Sequence, residues 1–224
     1  MSSQRWTLNP FHFISLWDEC PRCFYLQVAR GFPRPALRAG SLDTRVKHSC
    51  DGRRTETLTP DMPRGVFEIG ERVLLSEDLD VHLPDAIHRC VIRGTVDVIV
   101  RLDDGGYAVV DLAITDDATT AAAHARRLQA SAYALEHPAA AGAALGPVTR
   151  LGVLRFAAEK FAADAGGVGA LSGGLSWMEV PRDDGMLFGF LAEVLSVLEQ
   201  PQAPGGTPLC PWCVYRDASR RTGL

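Results

Sequence analysis

Cys90-Val-Ile-Arg-Gly-Thr-Val-Asp-Val-Ile-Val-Arg101, then Asp103-Asp-Gly-Gly106, then Tyr107-Ala-Val-Val-Asp-Leu-Ala-Ile114, is the stretch on which the reading of this chain turns. The first run is rich in β-branched residues and predicts a strand. The acidic, glycine-ended tetrapeptide predicts a hairpin turn, and Tyr107 to Ile114 the returning strand. Each strand carries one acid among apolar neighbours, Asp97 and Asp111. A carboxylate so flanked is costly to bury unless it is paired or holds a cation. Taken singly, either acid could sit at a strand end facing water. As a pair on one hairpin they can converge on a hard ion such as Mg²⁺ or Mn²⁺, which takes oxygen ligands.

Outward from the hairpin, helical and extended patterns alternate. Phe13 to Arg30 predicts a helix broken near its middle by Cys20-Pro21-Arg22-Cys23, with Ser15 as an N-cap and Gly31, Pro33 and Pro35 closing it. Ser41 to Arg54 predicts a second helix, followed by a polar connector through Pro63. Strands are expected from Glu71 onward, first at Arg72–Leu75, with Leu79 to Leu83 continuing it or pairing with it. Thr119 to Glu136 is alanine-rich and helical, with Leu128, Ala132 and Leu135 on one face. Val148 to Phe156 and Leu175 to Val180 read as strands, with Ala165 to Gly174 as a glycine-rich loop between them. Met186 to Leu198 is an amphipathic helix, and Pro201 to Pro208 a stiff linker. Such alternation implies an α/β fold.

The chain of 224 residues fits one domain, 1–224, and its 46% hydrophobic content supports a large core without disulfides. The N-terminus lacks an uninterrupted apolar run, and no stretch approaches the roughly 20 apolar residues of a membrane span. A soluble, cytoplasmic protein with no membrane partner is expected. A net charge of −4 argues against a polycation but leaves room for a local basic groove. Of the 23 basic residues only Lys47 and Lys160 are lysines, so few lysines are available for chemistry.

Six cysteines in a reducing compartment point to ligation or burial. Cys20-x-x-Cys23 and Cys210-x-x-Cys213 each direct two thiolates at one centre, and together they make a complete tetrathiolate set for Zn²⁺ or an iron–sulfur cluster. The flanks match: each is Cys-Pro-x-Cys with aromatic cover. The two segments, 13–30 and 205–217, would thus be clamped around a core spanning 66–160. Cys50 and Cys90 have no partner motif and read as buried thiols.

Gly94-Thr-Val-Asp97, Asp111-Leu-Ala113 and Gln129-x-x-x-Tyr133, in that order, resemble the PD-(D/E)XK nuclease superfamily, specifically its RecB-like branch. The cysteine arrangement resembles the AddB-type and CRISPR-associated spacer-acquisition exonucleases of that branch. The resemblance implies a restriction-endonuclease-like core, a central mixed sheet flanked by helices, with the terminal segments joined by the four-cysteine site. It implies DNA, with a single-stranded portion, as substrate, and protein partners in a DNA-processing complex. Asp97 and Asp111 would ligate Mg²⁺ or Mn²⁺, with the carbonyl of Leu112 and an upstream histidine. His48 is the candidate for that histidine, and His88 its rival. Gln129 and Tyr133 would line the DNA side of their helix. Arg22, Arg30, Arg34, Arg38, Arg126 and Arg127 are candidate phosphate contacts. The branch uses one cysteine before its core and three after; here two precede and two follow, and the third downstream position falls near Ser219. A [4Fe–4S] cluster is favoured on the resemblance, with zinc the alternative.

One position departs from the family. Its lysine falls at Ala113, and a methyl group cannot stabilise charge developing on a phosphate. Three accounts are compatible with this: a naturally silent nuclease-like domain that binds DNA or acts as a scaffold, an introduced Lys→Ala exchange, or an active site with a displaced helper such as Lys47.

Overall fold

The 16-residue strand β4 (Ile87–Leu102) is the axis of the sheet. In the computed structural model, which describes residues 5–34, 41–163 and 166–222 (without the side chains of 41–43 and 222), its two halves have different neighbours. The first half pairs in parallel with β1 (Arg5–Leu8) and antiparallel with β3 (Leu79–His82). The second half lies between β2 (Gly65–Leu75) and β5 (Tyr107–Ile114), antiparallel to both. Next to β5, and parallel to it, runs β6 (Val148–Ala163), which pairs antiparallel with β7 (Gly169–Val180). A parallel pair needs a crossover, and α4 (Thr120–Glu136) supplies it. The product is a mixed sheet of seven strands flanked by helices, the α/β architecture expected from the sequence.

Strand alternation divides the core in two. Val109 points to the face covered by α2 (Pro21–Arg30), α4 and α5 (Asp184–Leu198), where Phe13, Phe24, Ile92, Ile99, Leu128, Leu151 and Leu191 pack together. Ala108 and Val110 point the other way, to a smaller cluster with Phe67, Val98 and Leu154. Cys50, at the end of α3 (Ser41–Cys50), and Met62 cover that second face. Each fully buried leucine or phenylalanine contributes roughly 1.5–3 kcal/mol. The apolar stripes of α4 and α5 therefore fix those helices more firmly than intrinsic propensity does.

Several local expectations are corrected. The first helical segment is capped by Asn9, whose side chain accepts from Phe11 N; Ser15 sits inside a π-helical turn, Phe13–Trp17, and donates to Phe11 O. The second helix stops at Cys50, and Gly31, at φ 65°, closes α2 as expected. Strand β2 begins at Gly65, well before Arg72, and carries a bulge between Ile69 and Arg72. Leu79–His82 pairs with β4 instead of extending β2. Most of the stretch expected as a glycine-rich loop is strand: Gly169 to Gly174 pair with the outer part of β6 in an exposed two-stranded arm. That pairing is carried by the backbone and needs no apolar signature. β1 and α6 (Pro211–Thr222) had no expectation attached to them.

Candidate active-site cavity and metal centre

Both acids of the hairpin open into one cavity of about 1040 Å³, lined among others by Asn9, Phe11, His12, Lys47, Arg93, Gly94, Asp97, Asp111, Leu112 and Arg127. The β4–β5 ladder runs from Arg101–Tyr107 to Ile99–Val109 and stops. The same register carried two residues further would set Asp97 opposite Asp111. Like charges directly opposite are destabilising, and the strands part at that point. On the other side of β4 the bulge in β2 falls opposite Asp97, between the Val98 and Val96 pairings. Bulges of this kind re-aim side chains next to functional sites. Gly94 has its own reason: a Cβ there would meet Asn9 Oδ1 at 3.1 Å and Pro10 Cδ at 3.2 Å, so glycine lets the turn after β1 close over the cavity.

Each acid already has a cationic neighbour. Lys47 Nζ lies 3.4 Å from Asp97 Oδ2. Asp111 is buried; its Oδ2 is 2.8 Å from His124 Nδ1 and its Oδ1 3.4 Å from Arg127 Nη1, both on α4. Burial alone would raise the Asp111 carboxyl, but Arg127, His124 and Lys47 outweigh it and hold it below the usual carboxylate range. His12 lines the same cavity beside Gln27 (3.0 Å between the two Nε2 atoms), and burial lowers its pKa, which favours the neutral ring. At the rim, exposed Phe11 has the Arg127 guanidinium 5.6 Å from its ring centre.

The structure thus gathers Asp97, Asp111 and Leu112 and adds Lys47, His12, Arg93 and His124, which the motif did not single out. It does not gather the rest. His48 is exposed on α3 and is not among the cavity's lining residues. One residue is about 100° on a helix, and it is Lys47 that faces the acids. His88 is buried near Glu199, 3.0 Å from Nδ1 to Oε1, and does not line the cavity either. Gln129, expected on the DNA side, is fully buried: it donates to Pro181 O at 2.6 Å and accepts from Asp183 N at 3.1 Å, tying α4 to the start of α5. Tyr133 is packed against His137 and Phe188. Ala113 is half-buried against the core, and Lys160 is exposed on the β6–β7 arm.

The arginines divide likewise. Arg127 lines the cavity. Arg126 pairs with Asp18 and lies over Phe190, Arg34 pairs with Glu19, Arg22 reaches Asp217, and Arg30 donates to Pro201 O. Arg38 lies outside the described residues.

The four clamp cysteines come together at the N-terminal end of α2. Cys20 immediately precedes α2 and Cys23 lies in its first turn; Cys210 and Cys213 hold the same places on α6. All four are buried, and their sulfurs lie within 4.8 Å of one another. Among the described residues this is the one set of three or more His, Cys, Asp or Glu side chains that converges so. Burial raises the Cys20 thiol, but hydrogen bonds from Thr207, Cys23 and Cys213 outweigh it and bring it down to about 6. Burial pushes the Cys23 and Cys213 thiols the other way, so the four sulfurs share the negative charge unequally. The set can hold a metal ion or a cluster, with donors of the right softness.

No family model matches the chain, and no curated protein does. Five chains of solved structures match. One of them, described as "Crystal structure of SSO0001", is 11% identical, covers 94% of this chain and 84% of its own, and superposes with a TM-score of 0.44, too low to carry an argument. No described helix is long and apolar enough to cross a membrane.

Proposed function

We propose that the cavity is a divalent-metal-dependent site for phosphodiester hydrolysis in DNA, of the RecB-like PD-(D/E)XK kind, with Lys47 standing in for the lysine missing at Ala113. The observation that carries the reading is the convergence of Asp97, Asp111 and Lys47 on one cavity, with Lys47 Nζ 3.4 Å from Asp97. Asp97, Asp111 and the Leu112 carbonyl offer hard oxygen donors of the sort Mg²⁺ or Mn²⁺ takes. Such an ion, when bound, would polarise the phosphate and lower the pKa of water. Asp111 is held ionised and oriented by Arg127 and His124, so its donor atoms are set before substrate arrives. Lys47 and Arg93 line the same cavity and would offer positive charge to a phosphate gaining negative charge, the electrostatic role a lysine serves in such sites. Phe11, exposed beside Arg127, offers a stacking face for an unpaired base, which favours a single-stranded portion in the substrate.

The test is cleavage of end-labelled single-stranded DNA with Mn²⁺, comparing the unaltered chain with Asp97→Ala, Asp111→Ala and Lys47→Ala. Cutting that needs Mn²⁺ and is lost in the aspartate variants supports the reading. Cutting that survives both aspartate substitutions removes it.

A second reading has its own observation. Both acids are already compensated by cations of the chain, so the cavity needs no metal to offset them. A non-catalytic DNA-binding or scaffold domain would be built this way. It would bind single-stranded DNA equally well with Mg²⁺ or with chelator, and cut nothing. In either case the four-cysteine group serves as a metal-held staple, of zinc or iron–sulfur type, that fastens the first helices to the C-terminal helix.

A further inference from the structure

We propose that the four-cysteine centre is shaped for a single tetrahedral ion, Zn²⁺ by its chemistry, and not for the [4Fe–4S] cluster that the family resemblance suggests. The inference rests on the four-cysteine group being a metal centre, and is independent of the hydrolytic reading of the cavity.

Three sulfur–sulfur separations decide the size of the guest. Cys20 Sγ lies 3.6 Å from Cys213 Sγ, and Cys23 Sγ lies 3.7 Å from Cys210 Sγ and 3.8 Å from Cys213 Sγ. Four thiolates held about 2.3 Å from one zinc ion form a tetrahedron with edges of about 3.8 Å. A cubane cluster puts each thiolate on a different iron, at the outer corners of an eight-atom body. Its sulfurs must stand apart by the width of that body and two Fe–S bonds. The spread here, at most 4.8 Å across all four ligand atoms, matches the first geometry and leaves no room for the second.

The surroundings oppose widening. Both pairs sit at helix starts, with Phe24 N bonded to Cys20 O at 3.2 Å and Val214 N to Cys210 O at 3.0 Å. Two matching turns thus present their thiolates to one point, and both helix N-termini face the negative charge of a tetrathiolate site. Arg22 bridges the two helices to Asp217 at 3.4 Å. Gly206 closes the remaining side: a Cβ there would stand 3.0 Å from both Cys213 Cβ and Sγ, with Arg22 Nη1 at 3.5 Å. A methyl group there would already press on Cys213, so the chain wraps the site closely on this side.

The test is metal and sulfide analysis of the full chain, produced in cells supplied with both iron and zinc and purified without oxygen. We expect a single zinc ion per chain, a colourless protein, and, after exchange with Co²⁺, the visible ligand-field bands of tetrahedral thiolate coordination. Iron with inorganic sulfide and a broad brown absorption would overturn the zinc assignment while leaving the metal centre in place. A chain that retains no metal and has four freely titrating clamp thiols would overturn both.

Discussion

The two clusters of chemistry in this molecule are both assembled from segments distant in sequence, yet they are compensated in opposite ways. In the cavity, every acid has a cation of the chain against it: Lys47 on Asp97, and His124 with Arg127 on Asp111. In the clamp, four buried sulfurs meet at two helix starts, and the nearby cation Arg22 is paired with Asp217. Four thiolates packed so closely would need a metal's charge to offset them, whereas two ion-paired carboxylates do not. On the zinc proposal, a metal at the clamp would be part of the folded state. A metal in the cavity must compete with Lys47 and Arg127, and so would be exchangeable and weaker.

The largest expected difference lies in stability. Removing the clamp metal with a strong chelator, or substituting Cys213→Ser, should lower unfolding free energy by on the order of 5 kcal/mol, because ligation energy is folding energy. Chelator at levels that only strip the cavity should leave the denaturation midpoint where it was. A clamp variant that unfolds at the same denaturant concentration as the unaltered chain would break the comparison at its strongest point.

Next comes Asp111→Ala, which leaves Arg127 and His124 facing an empty place. Breaking a buried pair costs about 3–5 kcal/mol, and the low end applies because Arg127 keeps some solvent access. The pH dependence gives the same pair a second readout. With its folded pKa depressed, Asp111 contributes stability that is fully present above the ordinary carboxylate range and lost as pH falls through its folded value. Acid titration of stability should therefore be shallower in Asp111→Asn than in the unaltered chain. Identical acid limbs for the two proteins would remove the argument for a charged, pre-set Asp111.

Lys47→Ala should leave stability nearly unchanged, since its pair is partly exposed. Its effect should be on rate, a loss on the order of 10²–10³ in cleavage. The double variant Lys47→Ala with Ala113→Lys sharpens the point: partial recovery would show that one lysine position substitutes for the other. The smallest effect is expected from Phe11→Ala, which should weaken single-stranded DNA binding by about 1–3 kcal/mol and leave duplex binding alone.

Both regions were legible in the sequence to different depths. The cysteine clamp could be read because Cys-Pro-x-Cys is a discrete, repeated signal that does not depend on helical phase. The returning strand, Tyr107 to Ile114, could be read to the residue, since a glycine turn precedes a β-branched run. The start of β2 could not: Glu68 is spent on ion pairs with Arg72 and Arg101, and Gly70 and Glu71 fall in the bulge, where the alternating pattern breaks. The β6–β7 arm escaped for a related reason, being held by backbone pairing with its side chains in water. Lys47 and His48 are adjacent, and choosing between them needs the rotational setting of α3. Val46 and Cys50 both line the pocket on the second face of the sheet, and that four-residue spacing hints at this setting. Gln129 looked functional by motif, but only its three-dimensional neighbours reveal a buried amide holding two backbone groups.

The central claim, that the cavity cuts DNA with Lys47 in place of the lysine absent at Ala113, is tested most directly by single-turnover cleavage of single-stranded DNA in Mn²⁺. The account predicts metal-dependent cutting by the unaltered chain, abolished in Asp97→Ala and reduced on the order of 10²–10³ in Lys47→Ala. Binding of the same DNA with no cutting at any Mn²⁺ concentration would contradict it and leave the non-catalytic reading.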